Sequence, residues 1–239
     1  AAVRSLRATY HDTASAAQAV ARIMAQPVTP AALEFMDALA LKLARDHAPD
    51  ADVPQAGALL LIEVDGTPET VGFAQDAMAR AARGEGLIAL DVAADAGENA
   101  ALWAARKALS FAQRAVTEHK INEDVVVPVS RLPELVAGAQ ALAAKHAVPL
   151  VCFGHAGNGN LHVNLLPRDV DEVERGYATL PELFALVIAL GGTLSGEHGI
   201  GVVKRDYLPL ALGESTIALM RSVKAAFDPD GILNPGKVV

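Results

Sequence analysis

Hydrophobic positions along this 239-residue chain switch repeatedly between a period of two and a period near 3.6, the signatures of strands and of amphipathic helices. The opening run "VRSLRATY" (3–10) predicts a strand, and Thr13 then stands as the cap of a helix whose apolar face is Ala17, Val20, Ile23 and Met24. "GALLLIEV" (57–64) predicts a buried strand. Thr67 follows as a cap, with Pro68 at the first helical position and a stripe of Val71, Ala74, Met78 and Ala81 ending at Gly84. "GLIALDV" (86–92) predicts another strand, about 98–116 a helix, and "INEDVVVPV" (121–129) an extended segment in which Pro128 stops ladder pairing. Ser130 starts a helix to about Lys145, and "VPLVCFGH" (148–155) leads into a hairpin. About 171–190 is helical again, and a last helix over about 214–227 precedes the turn-rich tail "DPDGILNPGKVV" (228–239).

Strands alternating with helices would suit a doubly wound parallel sheet. The 151–166 hairpin is antiparallel, however, and no G-x-G-x-x-G follows the first strand, which disfavours a dinucleotide-binding Rossmann fold. The expected fold is therefore α+β: ferredoxin-like βαβ units forming a largely antiparallel sheet, with helices packed on one face.

The hairpin carries the first candidate chemistry. In "GHAGNGNLHVN" (154–164), Asn158-Gly159 has the composition of a two-residue turn with positive φ at both positions. Pairing outward from it sets 157 against 160, 156 against 161, and His155 against His162. The two imidazoles would then be direct neighbours, with Cβ atoms about 4.5–5.5 Å apart. Alternation puts Phe153 and Asn164 on their face, and Cys152 and Val163 on the other. Alone, such a pair is half of a metal site or simply a solvated sheet face. "SGEHGIG" (195–201) offers Glu197 and His198 among glycines; it lacks the preceding strand and following helix of a phosphate cradle, and an ordinary turn is its bland reading. His155, His162 and Glu197 together make a two-imidazole, one-carboxylate set suited to zinc, manganese or ferrous iron, with positions left open for substrate.

Composition narrows the partners. The chain is 52% hydrophobic, 20% charged and rich in alanine, which is a globular composition. A formal charge of −8 without clustered Lys and Arg argues against nucleic acid. The single cysteine, Cys152, rules out an internal disulfide or a Cys-rich zinc site, suits a reducing compartment, and reads as a packing residue. The apolar window 183–196 is fourteen residues, short of the roughly 18 needed for a membrane span. The opening "AAVRSLRATY" has neither an initiating Met nor a signal-peptide pattern, so a domain cut from a longer chain is expected.

Several separated motifs resemble one family. "GHAGNGNLHVN", "SGEHGIG" and "FDPDGILNPGK" (227–237), with "PAALEFMD" (30–37), "LWAARKALS" (102–110) and "INEDVVVPVSRLPEL" (121–135), are similar to the C-terminal domain of FAD-linked oxidases of the D-lactate dehydrogenase, glycolate oxidase and D-2-hydroxyglutarate dehydrogenase group. The match runs in order over nearly the whole chain. Ala156 and Asn158 depart from the commoner leucine-like and aspartate residues of the motif, though Asn158 still fits a turn.

The resemblance implies that residues 1–239 form a substrate- and metal-binding domain whose FAD-binding N-terminal partner domain lies outside this sequence, with the 228–239 tail contacting that partner. It implies a zinc or manganese ion held by His155, His162 and Glu197, His198 as catalytic base, and Asn164 against substrate. Arg106, Ser110 and Lys120 would recognise the substrate carboxylate, and Asn234 would touch the flavin. The substrate would be a small D-2-hydroxy acid oxidised to the 2-oxo acid, with this chain inactive alone, an electron acceptor of unknown identity and a homodimer left open. The setting would be cytoplasmic, or peripheral to the inner membrane through the acceptor. His11, His47, His119 and His146 match no motif position and are expected to be exposed or locally satisfied. Two rival readings remain at the level of sequence: metal-assisted hydrolysis, with water at the open metal position, and a ferredoxin-like interaction domain whose metal is structural.

Overall fold

A computed structural model describes residues 2–49 and 51–239, with the side chain of Ser110 also outside the described residues. In chain order the elements are β1 (Ala2–Tyr10), α1 (Thr13–Met24), β2 (Ala32–Asp37), α2 (Ala38–His47), β3 (Ala58–Gly66), α3 (Val71–Ala82) and β4 (Leu87–Val92). They continue with α4 (Ala96–Val116), β5 (Ile121–Val126), α5 (Leu132–His146), β6 (Leu150–His155), β7 (Asn160–Leu165), α6 (Val170–Ala189), the short α7 (Leu208–Ala211) and α8 (Glu214–Phe227).

Aspartates set most of the helix starts. Asp12, rather than the predicted Thr13, caps α1 by accepting the Ser15 amide at 2.7 Å, and Asp37, Asp95 and Asp169 do the same for α2, α4 and α6. The Thr67 cap is also displaced. Residues 67–70 close a turn on the Thr70 hydroxyl, and α3 begins only at Val71. The last helix matches its predicted limits. Among the longer elements β2 and α2 go unread in the sequence, because a six-residue strand with five buried residues runs straight into a helix with no glycine or proline between them.

The fold is α+β with one seven-stranded antiparallel sheet, in the order β4-β1-β3-β2-β6-β7-β5. The first half, β1-α1-β2-β3-α3-β4, has the ferredoxin-like order 4-1-3-2. The second, β5-α5-β6-β7-α6, repeats that arrangement as far as its third strand, and a bridge from Thr193 to Val126 stands where a fourth strand would pair. The halves join at a seam between β2 and β6, where Glu34 faces His155, Phe35 faces Gly154 and Met36 faces Phe153.

Helices cover both faces, not one. On one face α1, α3, α5 and α6 enclose a core that includes Tyr10, Ile23, Leu60, Leu135, Val163 and Phe184. On the other, α2 and α4 pack over Met36, Leu59, Leu61, Val151 and Phe153 with Leu41, Leu109 and Ala112. Strands β3 and β6 carry near-continuous apolar runs because both of their faces are buried.

Candidate metal and substrate site

The hairpin differs from its predicted register. Phe153, not His155, lies opposite His162, and the turn is a four-residue 156–159 loop with a 3-10 segment. Only Gly159 takes a positive φ, +73°, and its amide closes the loop on the Ala156 carbonyl at 3.1 Å. The loop is fitted against the end of β5: a Cβ at residue 159 would lie 1.9 Å from the Val127 carbonyl oxygen. The register moves by two positions, so parity is preserved and His155 and His162 still share a face. They become diagonal neighbours with ring centroids 5.7 Å apart and nearly perpendicular planes. Phe153 and Asn164 share that face, while Cys152 and Val163 join the opposite core, as alternation predicts.

The loop after α6 delivers the third candidate ligand, Glu197. Asp124, fully buried on β5, accepts the amides of Gly196, Glu197 and His198 and the hydroxyl of Ser195. Its other oxygen takes the buried Lys204 ammonium at 2.6 Å. Burial opposes ionisation of this carboxyl, but the Glu197 amide, Lys204 and the His198 amide outweigh it, and the group stays well below the usual carboxylate range. Three successive amides wrapped on one carboxylate fold the loop so that two adjacent side chains both reach His162. Glu197 spans the imidazoles, 3.5 Å from His155 Nε2 and 3.5 Å from His162 Nε2. His198 stacks on His162 at 5.5 Å, with Nδ1 3.5 Å from both Asp124 Oδ1 and Asn122.

One ligand atom from each of His155, His162 and Glu197 lies within 4.8 Å of the other two. That compactness, the two-imidazole, one-carboxylate donor set, the partial exposure of His155 and the exposure of Glu197 fit a divalent cation with open positions. His162 fits as a neutral ligand: burial, with smaller effects from His155, Arg106 and His198, outweighs the attraction of Glu197 and takes its pKa down to about 4.

The remaining predicted residues are distributed unequally. Arg106, on α4, stands beside the imidazoles, its Nε 2.7 Å from Glu34 and its guanidinium 4.9 Å over the Phe153 ring. Lys120 precedes β5, half-buried, and burial together with neighbouring Arg114 lowers its pKa. Asn164 lies on the site's face but beneath α4, fully buried and donating to Gln113 at 2.6 Å. Asn234 sits in the exposed tail with φ +46° and is not brought to the imidazoles. Ser110 belongs to α4, with its side chain outside the described residues. The unassigned histidines are exposed, as His11 and His119 are, or satisfied locally, as His47 is by Leu43 and His146 by Glu182.

Sequence reasoning missed Glu34, Asp124 and Lys204. Glu34 interrupts the apolar run "ALEFMD", and a lone acid inside such a strand is a signal that it has a partner. Among the described residues no helix is long and apolar enough to cross a membrane.

Comparison with known proteins agrees with this architecture. The solved structure of p-cresol methylhydroxylase with substrate bound superposes with a TM-score of 0.73 at 13% identity, covering 99% of this chain and 52% of that one, a likeness of fold. The glycolate oxidase subunit GlcD of Bacillus subtilis is 38% identical over 237 residues, and a D-lactate dehydrogenase of Anaerostipes hadrus is 33% identical over 250. These alignments cover 98% and 99% of this chain but 50% and 52% of the relatives, so the chain spans about half their length. The family model for FAD linked oxidases, C-terminal domain, matches residues 1–238, and the chain belongs to that family.

Proposed function

We propose that this chain is the substrate- and metal-binding half of an FAD-dependent dehydrogenase that oxidises a small D-2-hydroxy acid to its 2-oxo acid. The observation that carries the reading is the convergence of His155, His162 and Glu197 within 4.8 Å beside the Arg106 guanidinium. A 2-hydroxy acid offers a hydroxyl and a carboxylate on adjacent carbons, matching a cation site next to a cationic side chain.

His155, His162 and Glu197 would hold a divalent ion, zinc or manganese, which supplies Lewis acidity that lowers the substrate hydroxyl pKa. FAD, which an N-terminal domain outside this sequence would mainly hold, would supply hydride-accepting chemistry toward Cα. Arg106 orients the substrate carboxylate through its terminal nitrogens, with Lys120 adding positive charge at the rim. His198 accepts the hydroxyl proton at Nε2, its Nδ1 being turned toward Asp124 and Asn122. The proton would thus leave on a side chain of this chain, and FAD would supply the two-electron acceptor that balances the oxidation.

In this reading the chain presents a surface for the partner domain. Leu219, Val223 and Phe227 form an exposed i, i+4, i+8 stripe on α8, continued by Ile232 and Leu233 in the tail. Such a contiguous apolar face is what docking onto the FAD-binding half requires. The test is elemental analysis of the intact protein and of His162→Ala, together with dye reduction by glycolate, D-lactate and D-2-hydroxyglutarate. About one divalent ion per wild-type chain, lost in the variant, and turnover of one acid are expected. Equal metal content in both proteins removes the site from consideration.

A further inference from the structure

Glu34 meets the site from outside its ligand set and touches both of its parts. It is 5% exposed, on the seam strand β2, directly opposite His155. Its Oε1 is hydrogen-bonded to His155 Nδ1, and its Oε2 lies 2.7 Å from Arg106 Nε. A carboxylate oxygen accepts in this contact, so the His155 hydrogen belongs on Nδ1 and the Nε2 lone pair is free. That Nε2 is the atom 3.5 Å from Glu197. On the other side, Glu34 engages Arg106 through Nε alone, and the terminal nitrogens of Arg106 have no hydrogen-bond partner among the described residues. The guanidinium rests over Phe153, whose ring is 5.0 Å from that of His162. Glu34, Arg106, Phe153, His162 and His155 therefore form a closed chain of contacts, with one carboxylate as its only acidic member.

We propose that Glu34 is a positioning residue that sets both parts of the site from one carboxylate. It holds His155 as the Nδ1–H tautomer with Nε2 toward His162 and Glu197, and it clamps Arg106 by Nε so that the terminal nitrogens stay available to the substrate carboxylate. The inference rests on the function proposed above. A buried carboxylate is needed because both partners donate. The side-chain amide introduced by Glu34→Gln has one acceptor oxygen and would turn its NH2 toward one of two N–H groups.

The test uses the intact protein, first free of metal and then titrated with zinc against a chromophoric chelator, with imidazole tautomers read from long-range 1H–15N spectra. Wild type should show His155 as Nδ1–H. Glu34→Gln should shift that tautomer toward Nε2–H, weaken zinc binding by roughly 10–100-fold, the usual cost of losing a group that orients a ligand, and raise KM for the hydroxy acid. Arg106→Met should raise KM while leaving the His155 tautomer in place, so the two arms of Glu34 separate. An Nε2–H tautomer for His155 in metal-free wild type overturns the proposal, as does a Glu34→Gln protein with unaltered tautomer and zinc affinity. Should Glu34→Gln not fold, the wild-type tautomer and the Arg106→Met result still decide it. Failure of wild type to bind zinc or manganese would instead strike the functional reading, while the tautomer continues to report on Glu34.

Discussion

Replacing Lys204 by methionine removes a buried ammonium that the loop bearing Glu197 and His198 depends on. Lys204 is 3% exposed, and its Nζ lies 2.6 Å from Asp124 Oδ1, 2.8 Å from the Asp124 carbonyl, 2.7 Å from the Leu194 carbonyl and 3.2 Å from Glu123 Oε2. Both carboxylates are buried as well, Asp124 completely and Glu123 at 2% exposure. Methionine fills most of the volume, so the loss is electrostatic rather than a cavity. Removing one member of a buried pair costs about 3–5 kcal/mol, because the partner charge stays behind uncompensated. Asp124 keeps three amides and a hydroxyl, which points to the lower end of that range, about 3 kcal/mol. Against total stabilities of about 5–15 kcal/mol this is a large fraction. The assay is urea unfolding together with hydrogen exchange at the amides of residues 196–198. Glu123→Gln alone and combined with Lys204→Met completes a double-mutant cycle, whose coupling should exceed about 1 kcal/mol. A Lys204→Met protein that loses less than about 1 kcal/mol and keeps wild-type exchange at those amides would refute the reasoning, since Lys204 would then not be neutralising Asp124.

Three further outcomes are expected. His198→Ala in the flavin-loaded protein should keep its metal but lower turnover by roughly 10²–10⁴-fold; near-normal turnover with an unchanged pH profile would place the base elsewhere. Burial pushes the Asp37 carboxyl up to about 7 despite its hydrogen bonds from the Ala40 and Cys152 amides. Its folded pKa exceeds the unfolded one, so the stability it contributes is fully present below about pH 4 and is lost as pH rises through about 7, an effect of at most about 4 kcal/mol. Asp37→Asn should flatten that slope in urea midpoints between pH 4 and 8, and an unchanged slope counts against it. Gly159→Ala should cost at least about 1–2 kcal/mol, from the φ of +73° and the Val127 carbonyl that the new methyl meets; a melting temperature equal to wild type would mean the loop rearranges freely.

What the sequence determined is local. Period-two and 3.6-residue patterns are written by neighbouring residues, so β1, β3, β4, β7 and the helices after Thr13, Ser130 and Glu214 are readable, and the antiparallel hairpin excludes a parallel sheet. The shared face of His155 and His162 was readable for the same reason, since strand parity survives a register shift of two. The register itself was not, because contact with Val127, just past the end of β5, selects a four-residue loop over the turn that Asn158-Gly159 favours in isolation. Nor was β2 readable: burial on both faces erases alternation. The site depends on partners far apart in the chain. Glu34 reaches His155 across 121 positions, Asp124 gathers the amides of 196–198 across 72–74, and Lys204 neutralises Asp124 across 80. No local preference encodes such pairings; they follow from joining two ferredoxin-like halves at β2 and β6, where burial obliges every charged group to find its partner.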